Sequence, residues 1–349
     1  MPVPQSLPSA DRLLALIDGM AGKPVVMAAD LVADRFITGT PKRISREAPV
    51  LILRYEGERL VPGGGANAVA NVAALGGRPV PLGVVGDDES GRGLLAVFEA
   101  LGVETGGILL RRGYRTPTKT RILGGGRHAI KQQIVRYDLE DSVELSPADL
   151  EAFSAFLTER AGGVRVAVVS DYGYGAACPR LARLLRERLS PGAAILADSR
   201  FRLGEFAGLD GATPNEEEAE ALLGRPLGDE LPDVEAAGRE LRGRLENRFL
   251  LITRGSRGMS LFEEAGAVHL PVHGTDQVAD VTGAGDTVIG AFALALAAGA
   301  TPLEAAVLAN YAGGVVVMKT GTATLSLEEL KQAVASDPVP RQELRWAAS

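Results

Sequence analysis

The sequence has only one cysteine, Cys178, and three histidines. A single thiol excludes an intramolecular disulfide and any metal site built from several cysteines. His128, His269 and His273 have neither the spacing of metal ligands nor an adjacent catalytic partner. We therefore interpret Cys178 as a small loop or core residue, and the histidines as surface or strand residues.

Long hydrophobic runs are also missing. No uncharged apolar stretch reaches the roughly 18 residues that a membrane-crossing helix needs, and residues 1–10 lack the basic patch and apolar core of a signal peptide. The net charge of −7 and the isoelectric point near 5.3 argue against nucleic acid or an anionic membrane as the main partner. A cytoplasmic location is the resulting prediction.

Two common nucleotide-binding motifs are absent. The sequence contains no Gly-x-x-x-x-Gly-Lys-[Ser/Thr], which argues against a P-loop NTPase. It also contains no Gly-x-Gly-x-x-Gly after a predicted strand, which argues against a nicotinamide-dependent dehydrogenase or a parallel-sheet methyltransferase. Neither class is therefore our first interpretation.

The pattern that is present is an alternation of strands and helices. Hydrophobic residues make up 46% of the 349 residues and charged residues 23%, which fits one large α/β domain or two smaller ones. Apolar runs predict strands at 25–29, 79–85, 164–169, 194–197 and 249–253. Helical segments between them predict βαβ units and a parallel sheet faced by helices.

Two stretches interrupt this alternation. Residues 36–60 and 116–137 have the sequence pattern of short strands and no helical periodicity. We interpret them as a small second sheet that covers the site. The last predicted helices span 288–298, 302–318 and 326–335. They complete a domain over residues 1–336, and residues 337–349 are predicted to be a loose tail.

Polar side chains follow several predicted strands, namely Asp34, Asp171, Asp198 and Asn215. Each alone fits a turn or a helix cap, but together they mark the carboxyl edge of one sheet, where α/β proteins bind ligands. Asn215 and Glu218 lie three residues apart on an opening helix turn and can hold the hydration shell of Mg²⁺. The alternative is an acidic first turn that the helix dipole favours.

A glycine-containing segment precedes an apolar run that predicts a buried helix. Its sequence is Asp280-Val281-Thr282-Gly283-Ala284-Gly285-Asp286-Thr287. A helix start with exposed N–H groups binds anions, phosphate above all. Asp286 in the first turn is favoured in its charged form, so it can take a proton from an alcohol during phosphoryl transfer. The alternative is a plain glycine turn in which Asp286 only caps the helix.

A second glycine-containing turn, this one with basic residues, follows a predicted strand. Its sequence is Thr253-Arg254-Gly255-Ser256-Arg257-Gly258. Its backbone and arginines could grip the phosphates of ATP. A hairpin turn with solvated arginines explains it equally well.

Two glycine motifs carry a resemblance to a known family. Gly63-Gly64-Gly65-Ala66-Asn67 lies in the N-terminal third, and the Asp280–Thr287 segment lies near the C-terminus. Over nearly its whole length the chain resembles the ribokinase-like (PfkB) carbohydrate kinases. Within that family it is most similar to kinases of D-glycero-β-D-manno-heptose 7-phosphate. The residues that carry this similarity are 43–50, 170–172, 213–215 with Glu218, 253–254, 280–290, 313–317, 319 and 321–322.

The resemblance implies a three-layer αβα sandwich with a small β-sheet lid that often also forms a dimer contact, and hence a homodimer. It implies an ATP-dependent sugar kinase that uses Mg²⁺ and phosphorylates O1 of the heptose phosphate. It makes Asp286 the catalytic base, and the N–H groups of Gly283, Ala284 and Gly285 the anion hole.

Other residues match further functional positions of the family. The positions facing the sugar are Asp34, Gly63, Gly64, Asn67 and Asp171, and those that could meet its phosphate are Lys119, Arg121 and Arg136. Asn215 and Glu218 match positions that serve Mg-ATP. Thr253, Gly255 and Gly258 match the nucleotide phosphate site, and Asn310 and Gly314 match positions beside the adenine. Asp280 and Thr282 match a monovalent-cation site, for K⁺, of several members.

The sequence differs from the heptose kinases at positions that bear on the choice of sugar. Tyr174 and Arg200 stand where those kinases usually have lysines. A kinase for another sugar, a sugar phosphate or a nucleoside is therefore an alternative. A second alternative, from another class, is a nucleotide- or sugar-binding protein that keeps the fold without catalysis. The presence of Asp286 argues against it, because such a protein is free to lose its base.

Overall fold

The computed structural model describes residues 8–126, 131–274, 279–319, 321–336 and, by their backbone, 345–348. Within these residues the helices are α1 (Ala10–Asp18), α2 (Gly65–Ala74), α3 (Glu89–Ala100), α4 (Pro147–Arg160), α5 (Pro179–Arg188), α6 (Glu216–Leu223), α7 (Leu231–Arg244), α8 (Ala284–Ala297), α9 (Pro302–Val316) and α10 (Leu327–Ser336). The strands are β1 (Pro24–Ala29), β2 (Leu31–Ile44), β3 (Leu51–Gly64), β4 (Arg78–Gly86), β5 (Ile108–Arg111), β6 (Thr118–Gly124), β7 (Gln132–Leu139), β8 (Val166–Asp171), β9 (Ala194–Ser199), β10 (Gly211–Ala212), β11 (Phe249–Thr253), β12 (Met259–Glu263), β13 (Gly266–Leu270) and β14 (Arg345–Ala348).

The main sheet of the described chain has ten strands in the order β14-β13-β12-β11-β10-β9-β8-β1-β4-β5. The pairs from β5 through β11 are parallel, and those from β11 to β14 are antiparallel. Parallel neighbours need crossover connections, which helices usually supply. The predicted parallel sheet is confirmed, and an antiparallel extension widens it.

Helices cover both faces of the main sheet because its strands are apolar on both sides. Side chains of β1 alternate between the faces: Val25 and Met27 join one buried core, and Val26 and Ala28 join the other. Helices α1, α2, α3, α8, α9 and α10 pack into the first core, and α4, α5, α6 and α7 into the second. The three-layer αβα prediction is confirmed.

The order of the strands reverses at β1. From β1 the chain continues outwards on one side to β4 and β5, and later on the other side to β8 and β9. In open α/β sheets, ligands bind outside the carboxyl ends of the strands at such a reversal. Two acidic residues lie at this reversal: Asp171 is the last residue of β8, and Asp30 directly follows β1.

A second sheet, in the order β3-β2-β6-β7, is confirmed at the predicted position. Its first two strands form a long hairpin of 14 residues each instead of short strands. Only Asp30 separates β1 from β2, so Asp34 lies inside a strand of the second sheet. This corrects the prediction that Asp34 follows a strand of the main sheet.

Helix α8 begins at Ala284, four residues before the predicted start, and most of its residues are buried. A helix that is apolar all round must be buried on all sides, and α8 packs against α2 and α9 inside the first core. Its N-terminus therefore has a fixed position at the carboxyl edge of the main sheet.

The C-terminal segment differs from the predicted loose tail over residues 337–349. Residues 345–348 form β14, which pairs antiparallel with β13. An unpaired β13 would leave a row of open backbone groups at the sheet edge, and β14 takes up that pairing. The rest of that segment lies outside the described residues, as does His128.

Two further predictions can be compared with the fold. Cys178 is half-buried at the residue before α5, and His269 is a buried residue of β13, as interpreted from the sequence. In the part of the chain that the structure describes, no helix has the length and apolar character required to cross a membrane.

Candidate active site

A cavity of about 690 Å³ opens at the carboxyl edge of the main sheet, between that sheet and the second one. The predicted site residues that line it are Asp34, Gly64, Lys119, Arg121, Arg136, Asp171, Asn215, Glu218, Thr253, Thr282, Gly283, Gly285 and Asp286. The second sheet therefore contributes side chains to the same cavity as the start of α8.

Asp286 lies in the first turn of α8 and is 3% exposed. Tyr172 Oη donates a hydrogen bond of 2.7 Å to its Oδ1, and Asn67 Nδ2 donates one of 3.0 Å to its Oδ2. Burial raises the pKa of Asp286 to about 6, although both hydrogen bonds favour the charged form. A carboxylate tuned in this way can act as a general base near neutral pH.

The helix start beside Asp286 depends on Gly283, which has a φ of 78°. A Cβ at Gly283 would lie 2.5 Å from Asn67 Nδ2, so only glycine fits. The first N–H groups of a helix have no partner within the helix and carry its positive dipole end. A Cβ at Gly285 would meet no atom within 4 Å, so this helix start faces open space.

The amide of Asn67 is oriented by a chain of hydrogen bonds. Thr287 Oγ1 donates to Asn71 Oδ1 at 3.1 Å, and Asn71 Nδ2 donates to Asn67 Oδ1 at 3.2 Å. This arrangement turns the Asn67 Nδ2 group towards Asp286. Asn67, which the resemblance predicts to face the sugar, is buried and donates to this carboxylate.

Asp30 holds the segment that carries Tyr172. Its buried carboxylate accepts hydrogen bonds from the N–H groups of Tyr172, Tyr174, Ala176 and Ala177, at 2.8–3.0 Å. Four donors fix the path of the chain leaving β8. The Tyr172 backbone is thereby anchored beside α8.

Asp34 and Arg121 form an ion pair at the wall of the cavity, with 2.7 Å between Arg121 Nη1 and Asp34 Oδ1. Gly63 packs against Asp34 so closely that a Cβ there would lie 2.8 Å from the Asp34 Cγ. Gly64 has a φ of 50° at the start of α2. Gly63 lets the backbone approach the carboxylate, and Gly64 lets it pass close to Val32 and Tyr172.

Four cationic side chains line the cavity: Lys119, Arg121, Arg136 and Arg200. Burial lowers the pKa of Lys119, and the nearby charge of Arg200 lowers it further. Arg136 is exposed and pairs with Asp138 at 3.0 Å. Such a concentration of positive charge in one cavity favours an anionic ligand.

Asp171 was predicted to contact the substrate. It lines the cavity but is buried, and its carboxylate accepts from Arg202 Nη2 at 2.5 Å and from Ser199 Oγ at 2.6 Å. The chain itself therefore occupies both of its oxygens. This differs from a carboxylate that is free for a sugar hydroxyl.

A group of acidic side chains lies on the other side of the cavity. Burial raises the pKa of Asp198 well above its usual range, and the charges of Glu218 and Asp286 add to this effect. Burial also raises the pKa of Glu218. Asn215 and Glu218 form a reciprocal helix cap with two hydrogen bonds of 2.9 Å.

This surplus of negative charge fits a divalent cation held through water. Among the described residues, no three His, Cys, Asp or Glu side chains come together as a metal-binding group. Mg²⁺ commonly keeps several waters and binds through one or two carboxylates and substrate phosphates. Glu218 and Asn215 line the cavity, and their role in an indirect metal site stays a prediction.

A second, apolar cavity of about 190 Å³ adjoins the first and shares Thr253, Val281 and Gly285 with it. The other predicted nucleotide residues that line it are Gly255, Gly258, Asn310 and Gly314, and Ala284 lies there too. Asn310 Nδ2 donates to the carbonyl of Pro271 at 2.7 Å. A ligand with an apolar part and an anionic part would fit across Gly285.

The turn over 253–258 joins β11 and β12 as an antiparallel hairpin. Arg254 is buried, whereas Arg257 is exposed. Arg254 and Arg257 both pair with Glu216, at 3.1 and 2.7 Å. The hairpin prediction is correct for the backbone, and ion pairs explain the arginines.

Asp280 accepts hydrogen bonds from the N–H groups of Thr282 at 2.9 Å and Gly321 at 3.0 Å. Burial acts to raise its pKa, but these hydrogen bonds outweigh burial and lower it. The ionised carboxylate therefore braces the turn before α8. Residues 275–278, which precede it, lie outside the described residues.

A helix start with open N–H groups beside a buried carboxylate, on an αβα sandwich, is an arrangement typical of a phosphotransferase. The family model for pfkB family carbohydrate kinases matches residues 26–330. The chain belongs to this family and is an ATP-dependent carbohydrate kinase. Its fold is that of the ribokinase-like proteins.

Relatives and solved structures agree with this assignment. The chain is 37% identical over 332 residues to the bifunctional protein HldE of Mesorhizobium japonicum and 41% identical over 327 residues to that of a Caulobacter species. These matches cover 94% and 92% of this chain but only 65% and 64% of those longer proteins. The fold also matches Arabidopsis thaliana ribokinase complexed with ribose and ATP, with a TM-score of 0.69, 19% identity and coverage of 90% of this chain and 99% of that one. Escherichia coli phosphofructokinase-2 in complex with potassium matches with the same TM-score, 18% identity and coverage of 90% and 98%.

Sequence reasoning gave no role to Tyr172, to the hydrogen bonds of Asp30, or to Arg200 in the cavity. Tyr172 and Asp30 both stand at the carboxyl end of a predicted strand, which is the signal that could have found them. Contacts between β8, β1 and α8 are made over long chain separations. No local spacing encodes them.

Proposed function

We propose that the chain transfers the γ-phosphoryl group of ATP to a sugar hydroxyl, with Asp286 as general base. The observation that carries this proposal is the buried Asp286 carboxylate beside the open N-terminus of α8. The acceptor hydroxyl gives its proton to Asp286 while its oxygen attacks the phosphorus. The N–H groups of Gly283, Ala284 and Gly285 stabilise the negative charge that develops on the moving phosphoryl group.

The two adjoining cavities suggest where ATP binds. The apolar cavity beside Asn310 and Gly314 suits the adenine, and Gly285, shared by both cavities, suits the phosphates. Asn215 and Glu218 would hold Mg²⁺ through water. When bound, this ion would neutralise part of the phosphate charge. A K⁺ ion at Asp280 and Thr282 is part of the same proposal.

The acceptor side favours a sugar that already carries a phosphate. Lys119, Arg121 and Arg200 place positive charge across the cavity from the acidic Asp198 and Glu218, and a phosphate binds best among cationic donors. The resemblance to heptose-phosphate kinases makes O1 of D-glycero-D-manno-heptose 7-phosphate our first candidate acceptor. Synthesis of ADP-heptose is the corresponding pathway.

Replacing Lys119 with methionine is expected to raise the KM for a phosphorylated acceptor by about 10-fold to 100-fold, because a charged hydrogen bond contributes about 1.5–3 kcal/mol. The kcat should change far less. Steady-state kinetics with a sugar phosphate and its unphosphorylated counterpart measure this difference. Lys131, which pairs with Glu56 on the second sheet, gives the matched control Lys131→Met. An equal rise in KM for both acceptors would contradict a phosphate contact.

The dependence of kcat/KM on pH should show an acidic limb near pH 6. Asp286 accepts a proton only when ionised, and burial raises its pKa to about 6. Activity should therefore fall as the pH drops through that value and remain on a plateau just above it. Measuring kcat/KM for the acceptor from pH 4.5 to 8 tests this. A limb near pH 4, the ordinary value for an aspartate, would contradict the buried base.

A panel of sugars, sugar phosphates and nucleosides with Mg-ATP tests the proposed function as a whole. ADP release that depends on a heptose 7-phosphate supports our first candidate, and release that depends on another acceptor reassigns the substrate. Release without any acceptor dependence counts against the sugar kinase. No release with any acceptor favours a binding protein.

We also propose that the second sheet joins two copies of the chain. Its hairpin and β7 expose large hydrophobic side chains, namely Ile44, Val50, Leu51, Tyr55, Ile134, Val135 and Tyr137. Apolar side chains gathered on one small sheet favour protein association. Sedimentation analysis should therefore give a homodimer, and a concentration-independent monomer would refute it.

A further inference from the structure

Tyr172 supplies the hydroxyl group that donates to Asp286. Its Oη lies 2.7 Å from Asp286 Oδ1, which is an ordinary distance for an O–H group on a carboxylate. A general base must hold the acceptor hydroxyl in the same way before it takes the proton. The phenol therefore occupies a position that has the chemistry of the acceptor site.

The other carboxylate oxygen is also engaged. Asn67 Nδ2 donates to Asp286 Oδ2 at 3.0 Å, and the chain of hydrogen bonds through Asn71 fixes that amide. An incoming hydroxyl can most easily reach the carboxylate where Tyr172 now stands, because the phenol borders the open cavity. Asn67 is buried behind it.

We propose that Tyr172 makes the enzyme select a sugar over water as the phosphoryl acceptor, because its phenol occupies the acceptor position on Asp286 until a sugar hydroxyl displaces it. The proposal rests on the proposed role of Asp286 as the base. It adds a residue that determines specificity.

Water cannot displace the phenol effectively. Tyr172 is tethered: Asp30 fixes its backbone N–H at 2.9 Å, and its ring packs near Gly64, where a Cβ would lie 3.3 Å from the ring. A tethered group competes with a very high effective concentration. A water molecule offers one replacement hydrogen bond and no other contact.

A sugar brings the additional contacts that water lacks. Its other hydroxyl groups or its phosphate can bind Asp34, Lys119 and Arg200, which line the same cavity. The Lys119 ammonium lies 5.8 Å from the centre of the Tyr172 ring, so a ligand bound at Lys119 is next to the phenol. Binding energy from these remote groups can offset the loss of the tyrosine contact.

The unwanted reaction is hydrolysis of ATP. Water loses a proton to Asp286, its oxygen bonds to the γ-phosphorus, and the bond to the ADP oxygen breaks, which gives ADP and inorganic phosphate. This reaction needs a water molecule on Asp286. The phenol prevents it as long as no sugar is bound.

The test is ATP hydrolysis without a sugar, measured for the wild type and for Tyr172→Phe with Mg-ATP alone. We expect the variant to hydrolyse ATP at least about 10-fold faster, because water then reaches the base. Tyr114→Phe is the matched control, since Tyr114 is also a largely buried tyrosine but does not line the cavity. Its hydrolysis should equal that of the wild type. Thermal melting of each variant verifies the fold.

Two outcomes overturn the proposal. Hydrolysis by Tyr172→Phe at the wild-type rate shows that the phenol does not exclude water. A lower acceptor-dependent kcat with no gain in hydrolysis shows that Tyr172 only orients the base. The double variant Tyr172→Phe, Asp286→Asn separates this proposal from the proposed function. Fast hydrolysis that persists in the double variant contradicts Asp286 as the base, whereas its loss supports both assignments.

Discussion

Replacing Asp286 with asparagine is expected to lower kcat by about 10³-fold to 10⁴-fold, the upper part of the usual range for a general base. An asparagine at this position cannot take up the proton of the acceptor hydroxyl. The effect on ATP affinity should be small, because the nucleotide is proposed to bind at the helix start and in the apolar cavity. Steady-state turnover and a nucleotide titration measure the two quantities separately.

The fold should survive this substitution. Burial raises the pKa of Asp286, which means that its charged form costs stability near neutral pH. Asparagine removes that cost and can still accept from Asn67 and donate to the Tyr172 oxygen. We expect an unchanged or higher melting temperature.

Asp280→Asn is the matched control on the same segment. It should reduce stability more than chemistry, because Asp280 holds backbone N–H groups. Near-normal turnover of Asp286→Asn would refute the base assignment.

The fold was largely predictable because its signals are local. Alternating apolar runs and helices specify a parallel sheet, and glycines at 283 and 285 before an apolar run specify the start of α8. The strand β14 was not predictable, because its pairing with β13 depends on an open edge. The position of Asp34 inside β2 was not predicted either, because that strand belongs to the second sheet and is extended only by pairing within it.

The site was predictable in its composition but not in its contacts. The helix start and Asp286 were named from the sequence, and its family resemblance implied three of the four cations of the cavity, namely Lys119, Arg121 and Arg136. The hydrogen bond from Asn67 to Asp286 was not predicted. Arg254 and Arg257 pair with Glu216. Each difference comes from a partner that is distant in the chain, and chain separation is what a motif does not record.

This distinction matters for Gly283 and Gly285, the two glycines at the start of α8. Gly283 is required by the protein itself, because its φ is positive and a Cβ would strike Asn67. Gly285 is not, since its Cβ would meet no atom within 4 Å. A glycine in a helix costs roughly 0.5–1 kcal/mol relative to alanine. No contact within the described protein requires a glycine at position 285. We therefore attribute this glycine to a ligand that approaches the backbone closely.

Replacing Gly285 with valine should therefore abolish nucleotide binding while the protein stays folded. The new side chain would enter the junction of the two cavities, where the phosphates are proposed to lie. We expect the Kd for ATP to rise by at least about 100-fold, equivalent to about 2.7 kcal/mol. Calorimetric titration and a thermal melt measure both effects. Gly243→Val in α7 is the matched control, since its Cβ also meets no atom within 4 Å. Normal ATP binding by Gly285→Val would place the phosphates elsewhere, because a bulky side chain cannot share their space.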